Sequence, residues 1–122
     1  MKFLCIYKTS KPEGVPPTQE EMAVMGKFVE EMKKSGALLG TEGCLPSAAG
    51  ARVRLSAGNF KVTDGPFTES KEIIGGFALL QANSKEEAIE LNKRFLKVAG
   101  DGEVELRQVY EAGDCVGRAA AN

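Results

Sequence analysis

The chain has 122 residues, 43% of them apolar and 27% charged, with a formal net charge of −1. That is the length of one domain, enough to bury roughly two-thirds of the unfolded surface without a disulfide or metal staple, and the near-neutral charge gives no electrostatic pull toward nucleic acid or an anionic membrane. Histidine is absent, which excludes Ser-His and Cys-His nucleophilic sites and removes the commonest general base and metal ligand.

Residues 2–8 read as a short buried strand. Its apolar run is too short for a signal-peptide core or a membrane span, and no small-residue cleavage site follows. A loop with Pro12, Gly14, Pro16 and Pro17 leads to Thr18, an N-cap whose capping-box partner is Glu21. The helix behind it carries Met22, Met25, Phe28, Val29 and Met32 at helical spacing, a stripe expected to be core filler. Gly36 stops it. Residues 38–45 form a second strand, with Gly40 and Gly43 marking a bend or bulge.

A hairpin is expected next, from alternating strands over 52–55 and 60–63 joined at 57–59. The alternation gives Val53 and Leu55 to the core face and sends Arg52 and Arg54 the other way. Then comes a sharp corner, where Pro66 fixes its own φ and keeps Gly65 out of the helical region. A strand over 76–81 follows. Ser84 caps a second helix, with Glu87 as its capping-box partner and Ala88, Leu91, Phe95 and Leu96 as its apolar stripe. Gly100 and Gly102 break it. The last strand, 103–110, turns Val104 and Leu106 to one face and Glu105 and Arg107 to the other. The Ala/Gly-rich tail reads as frayed.

The fold class is therefore α+β: a ferredoxin-like split βαβ with an inserted β-hairpin. One domain covers 1–112, and 113–122 is a C-terminal tail. Two helices cover only one face of such a sheet, yet 3–7 and 77–80 are apolar at consecutive positions. A second copy on the open face satisfies both faces, so a homodimer is expected. Cys5, Cys44 and Cys115 are odd in number and widely spaced, which fits neither a disulfide framework nor a zinc site. Cys5 reads as a buried small hydrophobe. The expected home is the reducing cytoplasm, with no cofactor or metal required and no nucleic-acid or membrane partner.

Asp64 is the leading candidate for chemistry. At a Gly-flanked corner it either approaches a ligand as a base, its pKa raised by partial burial, or folds back on backbone N–H groups to hold the turn. Glu69, Lys71 and Glu72 make a mixed-charge loop in which Lys71 either holds an anion or is merely solvated. Arg54 and Arg107 would bind a carboxylate if their face lines a cleft between subunits, or the site neutralises itself through an Arg107–Glu105 or an Arg–Asp64 pairing. Tyr7 and Tyr110 offer hydroxyls at strand ends. Gly75-Gly76 lacks the spacing of a nucleotide-binding turn.

The run Asp64-Gly65-Pro66-Phe67, then Glu69, Lys71-Glu72 and Gly75-Gly76-Phe77, resembles the signature of the YCII-related "DGPF" proteins. The likeness extends to the opening strand, to Glu20-Glu21-Met22 at the helix start and to Glu105-Leu106-Arg107 near the end. It implies a dimeric α/β barrel, two ferredoxin-like sheets facing each other across a cleft. Some relatives look like lyases that eliminate chloride from chlorinated aromatic breakdown products. Others are encoded beside, or resemble segments fused to, sigma factors of the extracytoplasmic-function type. The His-Asp pair proposed as catalytic in the YCII branch cannot be carried over, because this chain has no histidine.

The expected function is binding of a small, anionic molecule in a cleft at the dimer interface, with acid-base lyase chemistry. Asp64 would be the base, with Lys71 and Arg107 stabilising negative charge and Arg54 and Tyr7 completing the ligand site. The alternative is a non-catalytic interaction or regulatory module acting with a sigma factor.

Overall fold

The computed structural model describes residues 1–67 and 73–112. In chain order it contains β1 (Lys2–Thr9), α1 (Gln19–Lys34), β2 (Leu38–Gly43), a short 3-10 turn (Ser47–Ala49), β3 (Ala51–Ser56), β4 (Asn59–Asp64), β5 (Ile73–Gln81), α2 (Lys85–Ala99) and β6 (Gly102–Gln108). The helices start where side-chain oxygens satisfy the first free N–H groups. Thr18 Oγ1 accepts the Glu21 N–H at 3.1 Å, and the Glu21 carboxylate accepts the Thr18 N–H at 3.0 Å, closing the expected box. At α2 the Ser84 hydroxyl accepts the Glu87 N–H at 3.1 Å.

Four strands form one antiparallel sheet in the order β2-β5-β1-β6. This is consistent with the split βαβ arrangement, in which each helix connects strands separated by a third. The expected irregularity at Gly40 is a register shift between Leu38 and Gly40. A second shift falls at Tyr7 and Lys8, beyond which β5 continues back to Ile73 and pairs with Thr9. That is why β5 begins earlier than the alternation alone indicates. β3 and β4 form a separate two-stranded sheet, closed by a turn at Ala57 (φ 49°) and Gly58 (φ 81°). Positive φ at both central residues matches the twist of the flanking strands.

Alternation then sorts the main sheet. Phe3, Cys5, Leu38 and Leu80 face the helices and join Met32, Ala82 and Ala88 in the core, with Phe28, Val29, Leu91, Val104 and Leu106 packed around them. The other face carries Leu4, Ile6 and Lys8, paired across to Leu79, Phe77 and Ile74 on one side and to Arg107, Glu105 and Glu103 on the other. Among the described residues no helix covers this face, and Phe77 is 43% and Ile74 52% exposed.

One expectation is corrected here. Val53 and Leu55 do share a face, but it is not a core face. They pair with Val62 and Phe60 on a hairpin whose every residue is exposed. Alternation identifies two faces of a strand; it does not say that either is covered.

Candidate functional site

The residues of the motif build a corner and a close-packed strand. Gly65 lies directly against the 3-10 turn: a Cβ there would stand 1.7 Å from the Ser47 carbonyl oxygen. The Gly65–Pro66 peptide is cis. The corner's N–H groups are taken by Gly50, whose carbonyl accepts from Gly65 at 3.0 Å, and by Ser47 Oγ, which accepts from Phe67 at 3.2 Å. Ser47 in turn donates its N–H and its hydroxyl to the two oxygens of Glu13, each at 2.8 Å. The Arg52 guanidinium lies 3.9 Å above the Phe67 ring. This ties the hairpin's root to the body.

Further on, Gly75 makes room for Tyr7, whose ring would lie 2.9 Å from a Cβ. Gly76 makes room for the β2 backbone, where the Glu42 carbonyl would lie at 2.6 Å. The Gly-Gly pair is thus a requirement of packing.

A cavity of about 520 Å³ opens between α1, α2 and the helix-facing side of the sheet. Its walls are mainly apolar: Met22, Met25, Phe28, Val29, Leu91 and Phe95, with Cys5 and Tyr7 on the sheet side. A second cavity of similar volume lies under the loop before α1, against Pro12, Val15, Pro16, Leu45 and Ile73. The two share Tyr7, Lys11, Pro17, Gly75 and Ala99 on their walls. Tyr7 stands between them, edge-on to Phe95 at 5.2 Å, with its hydroxyl donating to the Asp101 carbonyl at 3.3 Å.

Polar groups around the first cavity are few and engaged. The Asn92 amide, nine-tenths buried, donates to the Ala88 carbonyl at 2.8 Å and to Cys5 Sγ at 3.5 Å. Burial pushes the Cys5 thiol's pKa up and the Asn92 contact only partly offsets this, so Cys5 is held as an unreactive thiol. Lys11 and Glu21 form an ion pair of 2.7 Å at the mouth.

Glu21 is drawn down from 4.5 to about 2, first by the Lys11 hydrogen bond and then by the Thr18 N–H and hydroxyl. A depressed folded-state pKa means that this carboxylate's contribution is present above pH 4.5 and is lost as pH falls toward about 2. Denaturation midpoints taken down the pH scale should therefore show wild type losing its advantage over Glu21→Gln across that window. An advantage that persists unchanged at pH 2 would contradict the assignment. The pair is solvent-exposed, so the effect should also shrink with added salt.

The expected site residues are not gathered here. Asp64 is exposed at the end of β4 and lines neither cavity. Arg54 is on the hairpin, in register with Lys61. Arg107 sits on the open face of β6, and its Nε donates to Glu105 at 2.9 Å. Lys8 holds the other Glu105 oxygen at 3.0 Å. That hydrogen bond, then the charges of Lys8 and Arg107, hold the Glu105 carboxyl below its usual range. The neutralised reading of Arg107 thus matches the geometry within one chain. Of the expected site residues that are described, only Tyr7 borders a cavity, together with Gly75, Gly76 and Phe77 of the motif. Glu69, Lys71 and Glu72 lie outside the described residues, as does Cys115. Among the described residues no group of three or more Cys, Asp or Glu could hold a metal ion, and no helix is long and apolar enough to cross a membrane.

The cavity residues were hidden in the sequence by their resemblance to core. Met22 and Met25 have helical spacing, but only Met32 of that stripe is buried, and Met22 is 59% exposed. The available signal was Gly26, an interior helix glycine that no packing demand explains: a Cβ there would meet nothing within 4 Å.

Comparison with known proteins gives two findings. Residues 1–112 match the YCII-related domain family. The chain is also similar to an uncharacterized protein of Rhizobium meliloti (strain 1021), with 33% identity over 108 residues, covering 86% of this chain and 84% of that protein.

Proposed function

The chain belongs to the YCII-related domain family, and from that premise we propose that it binds a small, mainly apolar molecule in the cavity beneath α1 and acts as a homodimer. The Asp64-Gly65-Pro66-Phe67 run supports placing it in the DGPF-motif branch. The observation that carries the binding reading is the cavity itself, whose volume of about 520 Å³ falls in the range of small-molecule sites.

Charge at the mouth favours a neutral ligand over an anionic one. Lys11 is already matched by Glu21, so no unpaired cation is shown at the mouth among the described residues. Lyase chemistry at Asp64 would need a molecule outside both cavities and a second copy to bring Arg107 near it. The geometry therefore supports binding more directly than catalysis.

The dimer reading rests on the uncovered row Leu4, Ile6, Leu79, Phe77 and Ile74. A contiguous apolar patch of this kind marks an interaction surface.

The binding test uses N-phenyl-1-naphthylamine, a neutral fluorescent probe, with Gly26→Leu as the blocking variant. Wild type should bind the probe saturably with enhanced, blue-shifted emission. Gly26 is on the cavity wall and a Cβ there meets nothing within 4 Å, so a leucine is expected to narrow the cavity and Gly26→Leu should lose the probe. It should keep or raise its stability, since removing an interior helix glycine gains roughly 0.5–1 kcal/mol. Equal probe binding by both proteins would reject the cavity as the site.

A further inference from the structure

Asn92 breaks the pattern of the helix that carries it. It lies in the interior of α2, on the stripe where its neighbours Ala88 and Leu91 belong to the apolar core. Asparagine is a poor helix former, and burying its amide is costly unless every polar atom finds a partner. Among the described residues it is nevertheless the one buried polar side chain, 9% exposed, and it stands on the wall of the cavity beneath α1.

The partners of the amide fix its orientation. Nδ2 has two hydrogens and both are engaged, one by the Ala88 carbonyl and one by Cys5 Sγ. Turning the amide over would set Oδ1 against the Ala88 oxygen, acceptor against acceptor. Oδ1 is the atom left over. Among the described residues no donor reaches it, yet it is not sealed in, because no enclosed side-chain nitrogen or oxygen lacks a partner. On a residue buried this deeply, the open space beside that oxygen is the cavity. The other polar side chains nearby are engaged or turned away. Thr41 donates its hydroxyl to the Phe77 carbonyl at 2.8 Å, Tyr7 donates to Asp101, and Glu42 is in register with Phe77 of the open sheet face.

We propose that Asn92 Oδ1 is the polar anchor of the cavity, accepting a hydrogen bond from a neutral, otherwise apolar ligand that carries a hydroxyl or N–H group. The proposal rests on the binding reading above and deepens it, naming the ligand class and the residue that selects it. Small-molecule sites are commonly apolar with a few placed polar groups that set orientation. A ligand bearing only acceptors, a carboxylate included, would leave Oδ1 unpaired in an apolar setting and set a second acceptor against it.

The experiment measures displacement of N-phenyl-1-naphthylamine by 1-naphthol and by 1-methylnaphthalene, for wild type and for Asn92→Leu. The competitors differ by a methyl group in place of the hydroxyl. Comparing their affinity ratio between the two proteins cancels the greater hydrophobicity of the methyl compound and the affinity of the probe itself. The ratio favouring 1-naphthol should fall about 5-fold or more in Asn92→Leu, the effect of losing a hydrogen bond to a buried acceptor. Urea unfolding of Asn92→Leu should match or exceed wild type, since leucine is the better helix former and buries no amide. A second reading needs no variant and decides the matter if Asn92→Leu does not fold. The NMR signal of the Asn92 side-chain carbonyl carbon should move with 1-naphthol and stay nearly in place with 1-methylnaphthalene. If the probe and both competitors fail to bind wild type, the cavity reading falls and the anchor with it. If both competitors bind but the ratio is the same in the two proteins, or the carbonyl signal responds alike to both, the anchor alone is overturned. A less stable Asn92→Leu with an unchanged ratio marks a purely structural asparagine and overturns it too.

Discussion

Gly65→Ala should destabilise the protein by about 3 kcal/mol, the upper end of the usual cost of overpacking. The added methyl would lie 1.7 Å from the Ser47 carbonyl oxygen and 2.6 Å from its carbonyl carbon. Both obstacles are backbone, so no change of rotamer relieves the clash. The 3-10 turn must move, and it is held from behind by Glu13 through two hydrogen bonds of 2.8 Å. Either those bonds or the Gly65–Gly50 bond that closes the hairpin's root must break. Gly26→Ala is the control, because the same chemical change in open space on a helix should stabilise. Urea unfolding of the two variants should move in opposite directions from wild type. If Gly65→Ala matched wild type, the corner would not be packed as described.

Phe3→Ala should cost about 3–5 kcal/mol, the range for emptying a buried aromatic site. Phe3 is 1% exposed and is the largest wholly enclosed side chain among the described residues. It sits on the central strand β1, beside Leu80 on β5, in the cluster with Met32, Leu38 and Ala88 that joins both helices to the sheet. Strands on both sides hold its backbone in register, so the surroundings collapse poorly into the space. Domains of this kind have only about 5–15 kcal/mol in total, and the variant should therefore unfold at a much lower urea concentration. Phe3→Leu keeps most of the volume and should cost about half as much or less. Equal losses for the two would show that the aromatic ring's shape, not the volume filled, controls this site.

What was legible in the sequence is what is decided locally. The Thr18–Glu21 box, the break at Gly36, the irregularity at Gly40 and the turn between β3 and β4 each depend on a few neighbouring residues, and each is where the residues indicate. The excess of apolar side chains on β1 and β5 was also visible, since no alternation separates their faces. Placement across the chain was not legible. Val53 and Leu55 alternate as a half-buried strand does, and only the fold reveals that their hairpin leaves the main sheet. The methionines of α1 read as core because spacing gives the face of a helix but not its distance from the sheet. Asp64 stood out by its position at a glycine corner, yet backbone partners and Ser47 take the N–H groups of that corner. The motif's conspicuous glycines prove to be contact points for Ser47, Tyr7 and Glu42, a role that needs the tertiary partners to be seen.

The most direct test of the cavity as a binding site is a methionine-methyl NMR spectrum recorded during addition of N-phenyl-1-naphthylamine. The chain has 4 methionines. Met22, Met25 and Met32 line the cavity, and Met1 does not. The resonances of Met22, Met25 and Met32 should shift together and saturate, while Met1 stays in place. A probe that leaves those three unmoved, or that shifts Met1 alone, would contradict the account.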